Sequence, residues 1–413
     1  MRLKTPGIRS ALVCLVAASA GLSIAIISIS KVLLVLAALP ILLIGKKSAV
    51  DGTPVEKMWA PLVATVVVFV FAFSLTWTLA PLDQALGALG KYGKFLIIPV
   101  LLVLIKTRQE AYYALLCFLG AQVFLLCSSW LLYFHVPLVW ATSNMAVDRY
   151  AVFSSYLDQG IMSAVVAAIF WHLKALAPNK FLLYTAIAIS LMALANVFIV
   201  FVGRTAYLIG IVMVSLAIFW MLPRRYRFAV VLLPPLLLLL AFFSFDKVAQ
   251  RVSFTRAEVS GYSAGVGAAT SADNRLDFWK ASFDAIIEKP LAGTGIGSWA
   301  TTYNKIQKKT YPAHKDLTVG GNPHQEFLLW GVQLGVGGII LLVAFMTAVM
   351  FDLRKMDTPV GRAGLSVLVA LAIACLFNSS LYDAYIGDFF CLSLGVLLAY
   401  GARSCATPHT QKL

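Results

Sequence analysis

The chain has 413 residues, a mean hydropathy of +0.87 and a formal net charge of +15 at pH 7. Hydrophobic residues make up 61% of it and charged residues only 12%, whereas a soluble domain carries roughly 25% charged residues. This composition excludes a water-soluble globular protein. In a membrane protein an excess of Lys and Arg is first a signal of topology, so no nucleic-acid partner is expected.

The apolar runs predict an all-α, multi-pass membrane protein with about 12 transmembrane helices. A helix needs about 20 predominantly apolar residues to cross the hydrocarbon core, and runs of this kind recur along the chain. The predicted spans are 11–29, 31–45, 60–80, 94–106, 111–134, 158–175, 181–202, 205–222, 227–245, 325–351, 361–379 and 385–402. This even number of spans puts both termini on one side of the membrane.

Basic residues are concentrated in the loops of one side, which the positive-inside rule identifies as cytoplasmic. The short loops of the other side carry Lys31, Lys91, Lys94, Arg149 and Arg204. Both termini are therefore expected in the cytoplasm, and the long polar segment 246–323 is expected outside. The chain is thus divided into nine transmembrane helices (1–245), an outer loop (246–323), and three transmembrane helices with a short cytoplasmic tail (324–413).

The outer loop has internal order. Residues 260–271, SGYSAGVGAATS, are typical of a mobile connector. Asn274 is expected to cap an amphipathic helix near 275–289, which Pro290 ends. A glycine-rich turn, GTGIGSW, follows at 293–299. The apolar residues of the predicted helix recur at helical spacing and form a stripe: Leu276, Trp279, Phe283, Ile286 and Ile287.

Two arginines at the outer face are candidates for chemistry, because ionisable groups at membrane depth are costly and most of those that persist face a cavity or a partner. Arg204 lies where one predicted span ends and the next begins, and its guanidinium suits phosphate oxygens. The alternative is an interfacial arginine that reaches toward the headgroups. Arg275 opens the predicted loop helix, where free amides also bind anions. The alternative for Arg275 is an ordinary solvated arginine.

His324 stands where the polar loop becomes an apolar helix, directly after Pro323. The positive end of the helix favours a neutral imidazole, which can take a proton as a general base. The alternative is a helix-capping or interfacial histidine. Arg149, Asp158 and Asp383 are weaker candidates for the same cavity. The sequence contains neither a nucleotide-binding loop nor the paired acidic motif of a metal-bound sugar nucleotide, so it does not look like a cytosolic-type sugar-nucleotide transferase.

These residues and their spacing resemble the O-antigen ligase and polymerase superfamily, and most of all its lipopolysaccharide O-antigen ligases. The ligase pattern H-[NSQ]-x9-G-x-x-G is met by His324, Gln325, Gly335 and Gly338. An R-x3-L element at 204–208 is also similar to the family, as is a loop arginine, Arg275, with a tryptophan four residues later. The resemblance covers most of the chain.

The resemblance implies a GT-C-like fold with one large, partly helical periplasmic loop. It implies a metal-independent glycosyltransferase of the Gram-negative inner membrane that uses no ATP or nucleotide. The expected reaction moves O-antigen polysaccharide from undecaprenyl diphosphate to the lipid A core oligosaccharide at the periplasmic face, with membrane lipids as further partners. In this interpretation His324 is the base or the acceptor-positioning group, and Arg204 and Arg275 bind the donor diphosphate. Gln325, Gly335 and Gly338 support the motif.

Two alternatives stay open. An O-antigen polymerase would use similar chemistry, and the R-x10-G elements typical of polymerases fit Arg149 to Gly160 and Arg256 to Gly267. A transporter of an anionic lipid-linked substrate would also have many spans and outward basic residues, but such carriers show symmetry between their halves, and the sequence has no clear repeat. Another relative, the protein O-oligosaccharyltransferase, usually carries extra C-terminal sequence that is not expected here.

Overall fold

The computed structural model describes residues 7–22, 24–44, 50–141, 149–244, 271–310 and 321–404, together with residues 250 and 253. Within these ranges the chain is helical and contains no strand. Nine of the helices in the described ranges are long and apolar enough to cross a membrane. They are Trp59–Trp77, Leu82–Leu104, Arg108–Tyr133, Tyr156–Leu176, Lys180–Val200, Arg204–Met221, Val336–Leu353, Thr358–Phe377 and Ala384–Ser404. The chain is a multi-pass membrane protein, and the count of 12 spans stays a prediction.

The first part of the chain forms helices that pack on one another and on helices of the second part. In chain order they are α1 Ile8–Ser19, α2 Ile24–Ile44, α3 Trp59–Phe73, α4 Leu82–Tyr92, α5 Ile97–Leu104, α6 Arg108–Tyr133, α7 Tyr156–Leu173, α8 Lys180–Ala195, α9 Arg204–Met221 and α10 Leu233–Ser244. Helix α1 packs on α2 and α6, and α7 packs on α8 and α9. The segments Ile8–Ser19 and Ala25–Leu39 are apolar but shorter than the nine spans.

The second part of the chain contains two helices of the outer loop (246–323), which we also call the outer segment, and four further helices of the bundle. It comprises α11 Ser271–Glu288, α12 Trp299–Thr310, α13 Glu326–Leu334, α14 Val336–Leu353, α15 Thr358–Phe377 and α16 Ala384–Ser404. Helix α11 packs on α12 and α13, so the outer segment is docked on the bundle through α13. Helix α16 lies at the centre, with 89% of its span buried, and contacts α5, α6 and α15.

Several predicted boundaries are wrong, each for a local reason. The predicted span 94–106 begins at Leu82, because an amphipathic helix precedes its apolar half. The predicted span 227–245 begins as a 3-10 helix, Arg224–Leu232. The predicted loop helix begins at Ser271 rather than after Asn274, so Asn274 lies inside the helix. The predicted connector lies outside the described residues except for its last residue.

The largest departure is a break inside the predicted span 325–351. The chain forms the short helix α13, turns at Gly335 and continues as α14. Gly335 has φ 66° and ψ −158°, a backbone conformation essentially reserved for glycine. A Cβ on Gly335 would also lie 2.3 Å from the Pro290 carbonyl oxygen. The glycine is therefore required both by the turn and by the close approach of the segment after α11.

The glycine-rich turn after Pro290 caps the broken end of α13. The amide of Thr294 donates to the Val332 carbonyl at 2.8 Å, and the amide of Gly295 donates to the Gln333 carbonyl at 2.9 Å. These carbonyls belong to the last turn of a helix, where no intrahelical donor is available to them. The 293–299 turn, predicted only as a turn, is thus the C-terminal cap of the short helix.

A layer of buried polar side chains lies under the start of α13. Glu326 is fully buried and accepts hydrogen bonds from Trp330 Nε1 at 2.8 Å, from the Leu381 amide at 2.8 Å and from the Tyr382 amide at 3.2 Å. Lys94 is 2% exposed, and its Nζ donates to the Asp383 carbonyl at 2.6 Å. Both residues hold the 379–383 segment between α15 and α16.

The expectation that Lys31 and Lys94 lie in short outer loops is wrong. Lys31 lies within α2 and its Nζ forms an ion pair with Asp388 of α16, at 2.7 Å and 2.9 Å to the two carboxylate oxygens. Asp388 is 1% exposed. Because a charge at membrane depth needs a partner, the buried Lys94 and the half-buried Lys31 both lie where acceptors are available.

We expect Gly335→Ala to destabilise the protein. A non-glycine residue in this conformation costs about 1–3 kcal/mol, and the clash with Pro290 adds to that cost. Gly337→Ala is the matched control, because its added Cβ would meet only the Leu291 carbonyl oxygen, at 4.0 Å. Thermal unfolding of the purified protein in detergent measures both; equal melting temperatures for the two variants would contradict the assignment.

Glu326→Gln is expected to lower stability by about 1–3 kcal/mol. All three neighbours of the carboxylate are donors, so the amide nitrogen of Gln would face another donor in the buried layer. The control is Glu56→Gln, at an exposed position of the short 3-10 helix Val55–Lys57. Thermal unfolding in detergent measures the stability of both variants, and only Glu326→Gln is expected to lower it. A Glu326→Gln melting temperature equal to wild type would rule out a structural role for the carboxylate.

Candidate active site

The two ends of the helix bundle differ in charge. Most basic residues of the predicted cytoplasmic loops flank the end of the bundle where α5, α7, α9 and α14 finish. These residues are Lys57, Lys106, Arg108, Lys174, Lys180, Arg224, Arg225, Arg227, Arg354, Lys355 and Arg362. The opposite end carries α11, α12 and the beginnings of α7, α9, α13 and α16. All of the candidate site residues near the membrane edge lie at this second end.

His324 stands two residues before α13 in a strained turn. Its φ is 56°, which is uncommon for a residue with a side chain. Its amide donates to Asn322 Oδ1 at 2.9 Å, so the asparagine fixes the turn. Gln325 is the N-cap of α13 and accepts from the Leu328 amide at 2.6 Å. The second position of the ligase pattern therefore has a capping role.

Helix α11 forms one wall beside His324. Trp279 Nε1 donates to the Pro323 carbonyl at 3.2 Å, directly before the histidine. The ring of Phe278 lies nearly parallel to the imidazole, with 6.4 Å between centroids and 27° between planes. Trp299 and Tyr303 of α12 pack on Phe278 in turn, at 5.0 Å and 5.1 Å between ring centroids. The imidazole thus borders an aromatic cluster and is half-buried.

The structure brings Arg275 close enough to His324 to change its ionisation. Burial of the ring, and second the positive charge of Arg275, lower the pKa of His324 below its ordinary value. This direction of the pKa shift favours the neutral imidazole, and its causes are burial and the charge of Arg275. A neutral imidazole next to a permanent cation can accept a proton while the cation binds an anion.

The position of Arg275 within its helix differs from the prediction. It is the fifth residue of α11, so the free amides of the first turn precede it. Its Nη1 donates to the carbonyl of Phe377 at 3.4 Å, at the C-terminal end of α15. A cation is favourable at a helix C-terminus. Arg275 therefore joins α11 to the bundle and also lies within electrostatic range of His324.

Asp383 is connected to the histidine turn through Asn322. Asn322 Nδ2 donates to Asp383 Oδ1 at 3.4 Å, and the same asparagine accepts from the His324 amide through its Oδ1. Burial raises the pKa of Asp383, while the charges of Lys94 and Lys91 oppose this shift. Asp383 is thus a supporting group of the His324 turn.

Asp158 and Arg149 have local partners at the beginning of α7. Asp158 accepts from the hydroxyl of Ser155 at 2.8 Å, and Ser155 accepts from the Asp158 amide as the N-cap of the helix. Asp158 also lies within electrostatic range of Asp383. Arg149 is exposed, and its guanidinium stacks 4.5 Å above the ring of Tyr156. Asp158 thus takes part in the N-terminal cap of α7, and Arg149 stacks on an aromatic ring.

Arg204 begins α9 at the same end of the bundle and is half-buried. The preceding Gly203 lies against Leu157 of α7, with 3.5 Å between a Cβ built on the glycine and the leucine Cδ2. This places Arg204 beside the segment that contains Asp158. Arg204, Arg275 and His324 are therefore collected at one end of the bundle from three distant parts of the sequence.

Three residues that support this site are not among those that the sequence predicts. Asn322 joins His324 to Asp383, and the buried Lys94 and Glu326 hold the 379–383 segment. The available signal was their charge: a lysine and a glutamate beside apolar runs are costly unless they are paired. Among the residues that the structure describes, no three His, Cys, Asp or Glu side chains cluster as metal ligands would. The expectation of a metal-independent reaction stays a prediction.

Comparison with known proteins identifies the same segment. No curated protein matches the chain. Residues 190–343 match the family model described as O-antigen ligase, and this range contains Arg204, Arg275, His324, Gly335 and Gly338. The match confirms, for this segment, the resemblance to the O-antigen ligase family that the motifs predict.

Proposed function

We propose that the protein is an O-antigen ligase, which transfers polysaccharide from undecaprenyl diphosphate to the lipid A core oligosaccharide. The observation that supports the proposal is the electrostatic interaction of Arg275 with His324, a candidate base near a permanent cation, inside the segment that matches the family model. The reaction takes place at the periplasmic face of the Gram-negative inner membrane. The basic end of the bundle then faces the cytoplasm, in keeping with the positive-inside rule, and we expect both termini on that side.

The chemistry needs one base and cations. A hydroxyl oxygen of the acceptor sugar attacks the anomeric carbon of the donor, and the bond from that carbon to the diphosphate oxygen breaks. Undecaprenyl diphosphate leaves with the bonding electron pair, and the hydroxyl proton passes to the imidazole of His324. Arg275 and Arg204 bind the diphosphate and stabilise the charge that develops on it. The donor is already activated, so neither ATP nor a nucleotide is required.

The ligase is preferred to the polymerase because the ligase pattern is complete and each of its positions has a structural role. Gln325 caps α13, Gly335 makes the turn, and Gly338 lies where a Cβ would come within 2.4 Å of the Trp330 carbonyl oxygen. Of the polymerase-type elements, Arg149 stacks on Tyr156 and 256–267 lies outside the described residues. The polymerase and the transporter are the alternatives that the next experiment separates.

Deletion of the gene from a smooth host is expected to collapse the lipopolysaccharide ladder to bare core while undecaprenyl diphosphate-linked polymer persists. Gel electrophoresis of the lipopolysaccharide and extraction of the lipid-linked polymer measure the two pools. Core that carries a single repeat unit would identify a polymerase instead. Movement of lipid-linked glycan by purified protein, without any sugar transfer, would identify a transporter.

Complementation of that deletion tests the base. His324→Asn is expected to reduce ligation by about 10²–10⁴-fold, because asparagine tolerates the positive φ but cannot take the proton. His135→Asn is the matched control, since His135 is an exposed histidine with φ 59° at the same end of the bundle. Ligation by His324→Asn near the wild-type rate, at equal expression, would remove His324 from the mechanism.

The ligation rate is expected to depend on pH through His324. The neutral imidazole is the active form, so activity is lost as pH falls through its pKa, which lies below the ordinary value of about 6.5. Arg275→Gln removes a positive charge and raises the pKa of His324, so the acid limb of its residual activity moves to higher pH. Arg275→Lys keeps the charge and serves as the control.

The rates are measured with purified protein and lipid-linked donor, and each pH profile is normalised to its own plateau. This normalisation separates the position of the acid limb from any loss of diphosphate binding. Coincident acid limbs in wild type and Arg275→Gln would show that Arg275 does not act on the imidazole.

A further inference from the structure

Helix α11 presents a stripe of large apolar side chains that its own contacts leave uncovered. Phe283 is 57% exposed, Ile287 is 76% exposed, and Leu291, just after the helix, is 91% exposed. Residues 283 and 287 lie four apart and therefore share a helix face. We call Phe283, Ile287 and Leu291 the outer stripe. We infer that the outer stripe inserts into the lipid bilayer beside the transmembrane bundle, which makes α11 an interfacial helix.

The opposite face of α11 is firmly packed, so the outward direction of the stripe is fixed. Ala281, Ser282 and Ala285 are buried. Ile286 lies against Gly331 of α13, with 2.5 Å between its Cδ1 and a Cβ built on that glycine. The stripe predicted from the sequence is thus divided between two surroundings. Ile286 faces the protein, whereas Phe283 and Ile287 do not.

The outer stripe is continuous with the surface that meets lipid. Leu291 and Trp77 line an apolar groove of about 420 Å³ between α3 and α14. The groove follows α14 from Gly337 to Ala344, about two helical turns into the span Val336–Leu353. Ile340, on the same groove, is 63% exposed, as expected of a side chain that contacts hydrocarbon. The end of α11 therefore lies at the edge of the bilayer.

Exposed charged residues lie close to the outer stripe. Lys280, Asp284, Glu288 and Lys289 are all exposed on or next to α11. An interfacial helix buries its apolar face at the boundary between headgroups and acyl chains and keeps its charges in the headgroup layer. Lysine stems reach along apolar surface and leave the ammonium in water. A phospholipid bilayer offers acyl chains to the apolar outer stripe and headgroups and water to the charged side chains.

Insertion of the stripe has a consequence for the rest of α11. Arg275, near the start of the same helix, lies beside His324. A helix anchored in the headgroup layer therefore fixes the depth of these two residues relative to the membrane surface. The anchoring itself does not depend on sugar transfer, so it can be tested separately from the proposed reaction.

Photo-crosslinking tests the insertion. The photoreactive residue p-benzoylphenylalanine is introduced at Ile287 or, as the matched control, at the adjacent Glu288, which lies about 100° further around the helix. The full chain is reconstituted in vesicles of phosphatidylethanolamine and phosphatidylglycerol and irradiated. Intact-protein mass spectrometry then counts phospholipid adducts. Position 287 is expected to give roughly tenfold more adduct than position 288.

A second pair of positions, Phe283 and Asp284, protects the test against a variant that fails to fold. It is expected to show the same preference for the apolar position. Equal adduct at the two members of both pairs would overturn the inference. Crosslinks from 283 or 287 to another segment of the chain, or to a second copy, in place of lipid would overturn it as well, because they would show that protein covers the stripe.

Discussion

The structure depends on one constraint: backbone groups at membrane depth need hydrogen-bond partners, because hydrocarbon offers none. The break at Gly335 would leave the last carbonyls of α13 without donors. The amides of Thr294 and Gly295 supply them, and the Val336 amide donates to the Pro290 carbonyl at 2.8 Å. The polar outer segment is thus part of the membrane fold and not an appendage. Since α13 begins directly after the His324 turn, the same bonds position the candidate base.

The packing of α11 against the His324 turn also determines the electrostatic environment of His324. The turn before α13 is too short to bury His324 alone, and α11 supplies both the aromatic wall and the Arg275 charge. Below it, Glu326 and Lys94 fix the 379–383 segment, from which Asp383 reaches Asn322. Buried charged groups are costly unless their hydrogen bonds are complete. These groups therefore specify one geometry of the turn rather than add much stability.

The sequence predicts the class of protein and the family resemblance better than it predicts the path of the chain. Apolar runs locate most spans, and the spacing of His324, Gln325, Gly335 and Gly338 indicates the family. The break at Gly335 was hidden because the run 325–351 stays apolar across it. Lys31 was placed in a loop because its partner, Asp388, is distant in sequence. Both wrong predictions involve contacts between segments that are far apart in the sequence. A hydropathy profile carries no information about such contacts.

The ion pair between Lys31 and Asp388 joins residues 357 positions apart, in the second helix and the last. A membrane protein enters the bilayer as it is synthesised, so the lysine of α2 is made long before its carboxylate. Until α16 is inserted, the ammonium has to be hydrated at the surface or held by another group. Final packing of α2 is therefore coupled to completion of the chain.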